Sequence, residues 1–495
     1  QLFWWVYFTD KDTSQSRPAL SPRALVKRIK RNIPLTAADY PVDAKAHKLL
    51  AQHELNAQYT SRWRNAALVQ ATAEQVAPLR EADQVRQVVQ APNMLPYRTY
   101  ATEKTKSLHT HTTGNTTSVT QTSKTAKLAQ VANLDYGLTE TEIQQLNLPF
   151  LHDLGHRGSG VVVAVFDDGF AAVDTRPEFA DLRNDNRILH TYDFVEDTTY
   201  AYWGGDHGTN CLSQIAAYDP STFVGSADQV SVVLARTENG AIESRSEEEN
   251  WFQAAEWADS LGVDIISSSL IYNYGFTDTT PDYSVSDLDG QTALVTQAAV
   301  YAAQRGILVV NSAGNEGGIA RWQGKISSPC DADSILCVGA VNSVGGIASF
   351  SGKGPTADGR IKPDVVAMGS MPYIISASSG PRLGSGTSYA APLISGLSAC
   401  LWSMDTTLSA QQIRSAVLAS TPENRPPDTT FGYGLPDASR GYDAVQQLVS
   451  RRSASQPAWS LENTWVQNRT LRLQYADRPN PETVAYTILD YTGKT

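Results

Sequence analysis

Residues 161–169 have the sequence Val-Val-Val-Ala-Val-Phe-Asp-Asp-Gly, and this stretch decides the fold class of most of the chain. An unbroken apolar run is typical of a strand that is covered on both faces of a parallel sheet. The run ends at Asp167, and Gly169 permits a sharp turn directly after it. Catalytic and binding groups of parallel α/β sheets gather at this edge, so Asp167 is the first candidate for a functional residue.

The same kind of apolar run recurs along the chain, with helical patterns between the runs. The runs are 230–234, 263–266, 306–310 and 335–340, and the helical patterns include 251–261 and 293–304. Strands that alternate with helices predict an α/β fold, with a parallel sheet and helices on both faces. We place this domain at residues 139–450.

The remaining segments differ in character from the α/β domain. Residues 1–96 combine strand patterns with helical patterns, one of them from Lys45 to Ala57, and predict a small α+β domain. Residues 97–138 are rich in Thr and Ser and predict a flexible linker. Residues 451–495 alternate between apolar and polar side chains, which predicts the start of a β-rich extension.

The overall composition excludes some classes of function. The formal net charge of −11 argues against broad nucleic-acid binding, because that activity needs a basic surface. No apolar run approaches the roughly 20 residues that span a bilayer, so we predict no transmembrane segment. The chain starts at Gln1 rather than Met, and we expect that a signal peptide has been removed before it.

The four cysteines permit an oxidising compartment without requiring one. Cys330 and Cys337 are close enough in sequence to bridge a hairpin. Cys211 and Cys400 each lie in an apolar helical pattern, which predicts buried thiols.

Two further short segments contain residues that often act in catalysis, a histidine and a serine. His207 stands at the start of a helical pattern, directly after two glycines, which indicates an exposed imidazole. Ser388 precedes an apolar helix, so its hydroxyl lies beside free backbone N–H groups. Taken singly, such a His is more often structural and such a Ser is a common helix cap. Together with Asp167 they have the residue types of a triad, in which a carboxylate orients an imidazole that deprotonates a serine.

The motifs around these residues resemble those of subtilases, the subtilisin-like serine peptidases. Residues 167–169 are similar to the family's Asp-Ser/Thr-Gly motif, and residues 207–209 to its His-Gly-Thr motif. Residues 386–392, Gly-Thr-Ser-Tyr-Ala-Ala-Pro, resemble its Gly-Thr-Ser-Met-Ala-Ala-Pro motif. Residues 312–317, Ser-Ala-Gly-Asn-Glu-Gly, resemble its Asn-containing loop. The resemblance spans residues 139–449 and implies a subtilisin-like fold.

The resemblance implies a role for each site residue. Ser388 is expected to be the nucleophile, His207 the general base and acid, and Asp167 the carboxylate that orients His207. Asn315 is expected to form the oxyanion hole with the backbone N–H of Ser388. The implied activity is that of a serine endopeptidase acting on polypeptides, which needs no cofactor for its chemistry. A catalytically silent peptide-binding protein is the alternative, and the absence of a Gly-x-Ser-x-Gly motif around Ser388 disfavours a lipase-like esterase.

Peptide substrates of subtilases lie as an added strand between two segments of the enzyme. The residues that match these segments are Ser269, Leu270, Ser312, Ala313 and Gly314. Ile271 stands where family members usually have Gly. Together with Tyr272, Tyr274 and Phe276, it predicts a reshaped pocket that prefers uncharged, apolar substrate side chains.

The chain departs from the family pattern at Asp168, which replaces the usual Ser or Thr and adds a second carboxylate near the site. We favour a hydrogen bond from Asp168 to the turn over an effect on the basicity of His207. Cys211 resembles the buried cysteine that lies beneath the catalytic His in the proteinase K branch of the family.

The outer segments also resemble parts of subtilases. Residues 1–96 are similar in size, position and outline to subtilase propeptides, so we expect a zymogen inhibited by its own N-terminal domain and cut between about Met94 and Ala132. The C-terminal segment faintly resembles the start of a type IX secretion sorting domain, which implies a secreted or cell-surface bacterial protein. Family members often bind structural calcium, although the acidic stretch 282–290 lacks the spacing of an EF-hand.

Overall fold

The computed structural model describes residues 2–14, 16–91, 134–240, 242–277, 280–455, 461–467, 470–475 and 484–487. Residues 1–95 and 135–455 form one compact unit. Most of the predicted linker, and the predicted cleavage segment from Met94 to Ala132, lie outside the described residues. The last residues of that linker belong to the compact unit, since Tyr136 is buried and Gly137 pairs with Phe223.

The N-terminal unit, residues 2–91 as described, is a small α+β structure. Its strands are β1 Leu2–Phe8, β2 Ala57–Ser61, β3 Ala66–Ala71 and β4 Val85–Gln90, and its helices are α1 Pro22–Lys30, α2 Ala44–Gln52 and α3 Ala73–Val76. The strands form an antiparallel sheet in the order β2-β3-β1-β4. Alternate side chains of β1, among them Trp4, Val6 and Phe8, enter the core of this unit.

The larger part of the compact unit is built on a parallel sheet of seven strands, in the order β13-β12-β11-β10-β5-β9-β6. These strands are β5 Val162–Asp167, β6 Ile188–Asp193, β9 Ser231–Arg236, β10 Ile265–Ser268, β11 Leu308–Ser312, β12 Leu336–Val341 and β13 Val365–Met368. Every residue of β5 is buried, as its unbroken apolar run predicts. The sheet confirms the predicted α/β class, and β6 and β13 extend it beyond the runs that the sequence indicated.

Helices and two short antiparallel pairs complete this part of the fold. The helices are α4 Glu140–Gln145, α5 Leu148–Asp153, α6 Ala180–Asn184, α7 His207–Ala216, α8 Arg245–Leu261, α9 Leu294–Gln304, α10 Thr387–Met404, α11 Ala410–Ala419 and α12 Ala438–Ser455. The short pairs are β7 Tyr218–Asp219 with β8 Phe223–Val224, and β14 Ser370–Ser376 with β15 Gly380–Ser385. Cys330 and Cys337 form a disulfide, a pairing that their spacing in the sequence allowed but did not decide, while Cys211 and Cys400 are buried thiols, as predicted.

Three C-terminal strands form an antiparallel sheet of their own, in the order β16-β17-β18. They are β16 Leu461–Gln467, β17 Thr470–Tyr475 and β18 Val484–Thr487. The strands agree with the predicted β-rich character of this segment, and the resemblance to a sorting domain stays a prediction. None of the helices in the described residues is long and apolar enough to cross a membrane.

One predicted helix is shorter in the structure than its pattern indicated. The helical pattern from Lys45 to Ala57 ends at Gln52, and Ala57 already begins β2. Glu54 has a positive φ of 58°, which a helix cannot continue through. A local turn therefore overrides the helical periodicity.

Candidate active site

The end of β5 and the start of α7 bring Asp167 and His207 together. Asp167 is completely buried, and its Oδ1 lies 2.7 Å from Nδ1 of His207. A hydrogen bond to Nδ1 leaves Nε2 of the imidazole available to a second group. Burial acts to lower the pKa of His207, but the charge of Asp167, the neighbouring Cys211 and the hydrogen bonds of both together outweigh it and raise that pKa well above its ordinary value.

Cys211 lies one turn further along α7, directly against the imidazole. Its Sγ is 3.8 Å from Nδ1 and 4.0 Å from Nε2 of His207, as the resemblance to the proteinase K branch implies. The thiol also contacts the backbone oxygen of Ser388 at 3.4 Å. Burial raises the pKa of Cys211 to about 11, so the sulfur is a neutral thiol at physiological pH.

Ser388 lies in the first turn of α10, which begins at Thr387. Its side chain is largely buried, and its Oγ lies 3.4 Å from the backbone oxygen of Ser269. In return, Oγ of Ser269 donates a hydrogen bond to the backbone oxygen of Ser388 at 2.8 Å. The ring of the next residue, Tyr389, lies 5.9 Å from the ring of His207, so the start of α10 sits beside the imidazole.

Asn315 is held by the same first turn of α10. Its Oδ1 accepts hydrogen bonds from the backbone N of Thr387 at 2.9 Å and from Oγ1 of Thr387 at 3.2 Å. Because Oδ1 of Asn315 accepts both hydrogen bonds from Thr387, the Nδ2 donor of the same amide points away from Thr387. Oγ1 of Thr387 also accepts a hydrogen bond from Gly314 at 3.1 Å, so Thr387 orients the whole loop. This role of Thr387 was not predicted from the sequence, although Thr387 lies inside the motif that contains Ser388.

The predicted substrate segments leave the sheet from adjacent parallel strands. The register pairs Ser268 of β10 with Asn311 of β11, and the two segments follow directly after these residues. Nδ2 of Asn311 donates a hydrogen bond to the backbone oxygen of Leu270 at 2.9 Å, which ties the segments together. Gly314 has a φ of 97°, which favours glycine there. The structure thus places Ser269, Leu270, Ser312, Ala313 and Gly314 on one edge of the sheet with Ser388.

The structure corrects one residue of the predicted pocket. Tyr272 is completely buried, and its hydroxyl donates a hydrogen bond to Oε1 of Glu238 at 2.6 Å. It therefore faces the interior and does not line an open pocket. Tyr274 packs instead against Trp322, with their ring centres 5.5 Å apart.

Asp168 turns its carboxylate toward the loop that precedes His207. The backbone N of Gly208, in the first turn of α7, donates to Oδ1 of Asp168 at 3.4 Å, so the carboxylate holds α7 rather than the turn that follows Asp168 in the chain. The fit is close, since a Cβ added at Gly205 would lie 1.8 Å from Oδ2 of Asp168. Burial first and the charge of Asp167 second raise the pKa of Asp168 to about 7.

The acidic stretch 282–290 does not fit a calcium site. Oδ2 of Asp287 accepts hydrogen bonds from the backbone N and the hydroxyl of Ser284, and Oδ1 of Asp289 accepts them from the backbone N of Gln291 and Thr292. These carboxylates close local turns rather than converge on one point. Across the described ranges, Asp167, His207 and Cys211 are the one group of three or more His, Cys and acidic side chains whose ligand atoms converge.

Comparison with known proteins identifies the family. A model described as the subtilase family, peptidase S8, matches residues 158–434, and one described as the peptidase S8 propeptide domain of Bacteroidota matches residues 3–109. The chain is 32% identical to Subtilisin DY of Bacillus licheniformis, over 57% of this chain and 90% of that protein. It is 31% identical to Subtilisin of Bacillus pumilus, over 59% of this chain and 94% of that protein. It is also 31% identical to Subtilisin E of Bacillus subtilis, over 59% of this chain and 68% of that protein.

The described residues of both matched regions, 3–91 and 158–434, lie within the compact unit, and the parallel sheet is the fold that the resemblance implies. The chain belongs to the subtilase family of serine endopeptidases, and it carries that family's propeptide domain.

Proposed function

We propose that this subtilase hydrolyses peptide bonds through an acyl-enzyme formed on Ser388. His207 takes the proton of the Ser388 hydroxyl as Oγ attacks the substrate carbonyl carbon. It then gives that proton to the leaving amine, and a water molecule enters by the same route to release the acyl group. The observation that carries the proposal is the 2.7 Å hydrogen bond between buried Asp167 and His207, because it holds the imidazole in the tautomer that can accept the proton.

The negative charge that develops on the substrate oxygen needs donors at the start of α10. The backbone N–H of Ser388 lies in the first helical turn, where N–H groups have no partner within the helix. Nδ2 of Asn315 is the second donor, since Thr387 occupies the amide oxygen. Donors fixed in advance stabilise the oxyanion without the reorganisation that water requires.

The substrate backbone is proposed to add as a strand between residues 269–270 and 312–314. These segments leave adjacent strands, and Ser388 contacts the first of them. Strand addition fixes the scissile bond by main-chain hydrogen bonds and leaves alternate side chains to enter pockets. The chemistry needs no cofactor. The preference for uncharged, apolar side chains remains part of the proposal, and it now rests on Ile271, Tyr274 and Phe276.

The proposed zymogen form rests on the propeptide domain and on its packing against the peptidase part. Residues 1–95 belong to the same compact unit as residues 135–455, so the N-terminal unit is bound as an intramolecular partner. We also propose that this unit inhibits the peptidase part and that a cut between the two parts removes it. The protein is proposed to be secreted from a bacterial cell.

The decisive experiment compares the full chain with its Ser388→Ala variant at pH 8. Cleavage of an unfolded protein and the length of the chain are followed together over time. We expect the wild type to digest the substrate and to lose its N-terminal unit. Ser388→Ala is expected to lower kcat by about 10⁶-fold, the loss measured when the nucleophile is removed from subtilisin.

Ser378→Ala is the matched control, because Ser378 is exposed near the site and contacts Ser376 rather than the proposed triad. It is expected to keep wild-type activity. If the wild type is as inert as Ser388→Ala, even after its N-terminal unit has been cut away by another protease, the chain is a peptide-binding protein on a peptidase fold. Ester cleavage without peptide cleavage would equally overturn the proposal.

A further inference from the structure

Helix α8 carries a row of buried carboxylates on the face that the N-terminal unit covers. Glu249, Glu256 and Asp259 stand seven and three residues apart along α8, so they share one face of the helix. Their exposed fractions are 2%, 6% and 3%. Asp264, which follows α8, is equally buried. We call these four residues the α8 acidic face. Charged carboxylates are rarely buried to this extent unless a cation is paired with them.

Arg64 pairs with the first carboxylate of the row. Its Nη1 lies 2.8 Å from Oε2 and 3.1 Å from Oε1 of Glu249. Nε1 of Trp5 donates to the same carboxylate at 3.0 Å, and the guanidinium lies 3.8 Å from the ring centre of Phe252 on α8. A guanidinium suits this setting because its flat face stacks on a ring while its edge donates hydrogen bonds.

Two arginines share the carboxylate of Asp259. Nη2 of Arg62 lies 2.8 Å from Oδ2, and Nη2 of Arg28 lies 2.9 Å from Oδ1. Glu256 receives the backbone N of Arg62 at 2.6 Å and the hydroxyl of Ser61 at 2.7 Å. Burial acts to raise the pKa of Asp259, but Arg62 and Arg28 outweigh it and lower that pKa. Asp259 therefore stays charged in the complex.

Asp264 ends the row at the edge of the interface. Nη2 of Arg23 lies 2.7 Å from its Oδ2, and Nη1 of Arg31 lies 2.9 Å from its Oδ1. The Arg23 side chain is 42% exposed, so this pair is open to solvent on one side. All the arginines paired with the acidic face, Arg23, Arg28, Arg31, Arg62 and Arg64, belong to the N-terminal unit.

We propose that the N-terminal unit recognises the peptidase part through this match of guanidinium groups to carboxylates. On a peptidase part from which the N-terminal unit has left, the α8 acidic face is then a docking surface, and its occupant is the free N-terminal unit of this chain. Buried ion pairs add little to stability relative to apolar contacts, but they penalise any partner that leaves one charge unpaired. The proposal rests on the proposed zymogen function, since release of the unit is what uncovers the face.

The test uses the full chain with Ser388→Ala, so that the chain cannot cut itself. A recognition site for an unrelated protease is inserted between residues 97 and 127, the chain is cut there, and retention of the N-terminal fragment is measured by size exclusion over a dilution series. Arg64→Gln, Glu249→Gln and the double variant are compared. Arg80→Gln is the matched control, because Arg80 contacts Trp4 within its own unit.

Each single variant is expected to weaken retention by at least about 10-fold, because it leaves one buried charge without its partner. The double variant leaves no charge without a partner. Its loss of retention is therefore expected to be smaller than the product of the two single losses by a factor of about 10 or more. Retention equal to that of Arg80→Gln, or effects that simply multiply, would overturn the proposal.

Arg23→Gln provides a test at the rim, where loss of the side chain cannot unfold the core. We expect a smaller loss of retention, about threefold, which disappears at high salt because this pair is open to solvent. A loss that is the same at all salt concentrations would contradict the role given to the charge. None of these measurements depends on catalysis. They would therefore still test the charge match between the two parts if the proposed peptidase activity were wrong.

Discussion

Asp168 places a second carboxylate beside the Asp167–His207 pair. The charged groups around it are Asp167 before it in the chain, His207 across the turn, and Arg236, whose Nε donates to the backbone oxygen of Asp168 at 2.9 Å. The side chain of Arg236 pairs with Asp193 instead of with the Asp168 carboxylate. The carboxylate of Asp168 has no cation paired with it, so its charge acts on His207 in addition to its hydrogen bond to the first turn of α7.

We predict that Asp168→Asn moves the acid limb of the kcat/KM profile to lower pH. The general base must be neutral to act, and a nearby negative charge favours the imidazolium and raises the pKa of His207. Removal of the Asp168 charge therefore lowers the pKa of His207. A pH–rate series on a peptide substrate measures the shift, with Asp185→Asn as a control at an exposed carboxylate that pairs with Arg187. An unmoved acid limb would mean that Asp168 only holds the turn.

The same variant has a consequence for stability. The folded pKa of Asp168 is about 7, above its ordinary value of 3.8, so ionisation costs the folded state stability as pH rises from about 4 through about 7. Asp168→Asn is therefore expected to raise the melting temperature of the Ser388→Ala chain at pH 8 and to leave it nearly unchanged at pH 4. A larger gain at pH 4 would contradict the sign of the pKa shift.

At the scale of single elements, the first turn of α7 owes its position to close backbone packing against β5. A Cβ added at Gly208 would lie 2.3 Å from the backbone oxygen of Gly169 and 2.8 Å from Cβ of Asp167. Real Cβ atoms do not approach backbone oxygens so closely, so a larger residue has to push α7 away from the end of β5. The distance between His207 and Asp167 depends on this contact.

Gly208→Ala is expected to lower kcat by about 100-fold, because a displacement of about 1 Å at reacting groups has an effect of this size. The Ser388→Ala chain carrying the same change is expected to melt at a lower temperature. Gly318→Ala is the matched control, since a Cβ there meets no atom within 4 Å and the backbone is not strained. Full activity of Gly208→Ala would show that the triad tolerates a shift of α7.

At the scale of the whole molecule, the N-terminal unit shares a core with the peptidase part. Trp63 is 6% exposed and belongs to the same apolar cluster as residues of α8 and α9. Its ring centre lies 5.6 Å from that of Phe252 and 6.0 Å from that of Tyr301. The guanidinium of Arg305 lies over the same ring at 4.8 Å. Apolar packing thus accompanies the ion pairs of the α8 acidic face.

We predict that Trp63→Ala lowers the free energy of unfolding of the Ser388→Ala full chain by about 3 kcal/mol, because it opens a cavity between the two parts. Equilibrium unfolding in urea measures the change. Val344→Ala, at an apolar residue that is 88% exposed, is expected to change it by less than about 0.5 kcal/mol. Equal effects of the two substitutions would mean that the two parts do not stabilise each other through this core.

The sequence by itself determined the α/β class and the residues of the candidate site. Apolar runs such as the one at β5, and the glycines beside His207, determine the structure of their own segments. They can therefore be interpreted from the sequence without knowledge of the fold. The four motifs also identified the family, which the comparisons confirm.

Only the tertiary structure decided which distant residues meet. Arg64 and Glu249 are 185 positions apart, and nothing in the sequence around either residue indicates the other. The same holds for the contact of Cys211 with Ser388 and for Tyr272, whose hydroxyl turns inward to Glu238. The physical reason is that burial and charge pairing depend on how whole elements pack, whereas the periodicity of a sequence reports only what each element is.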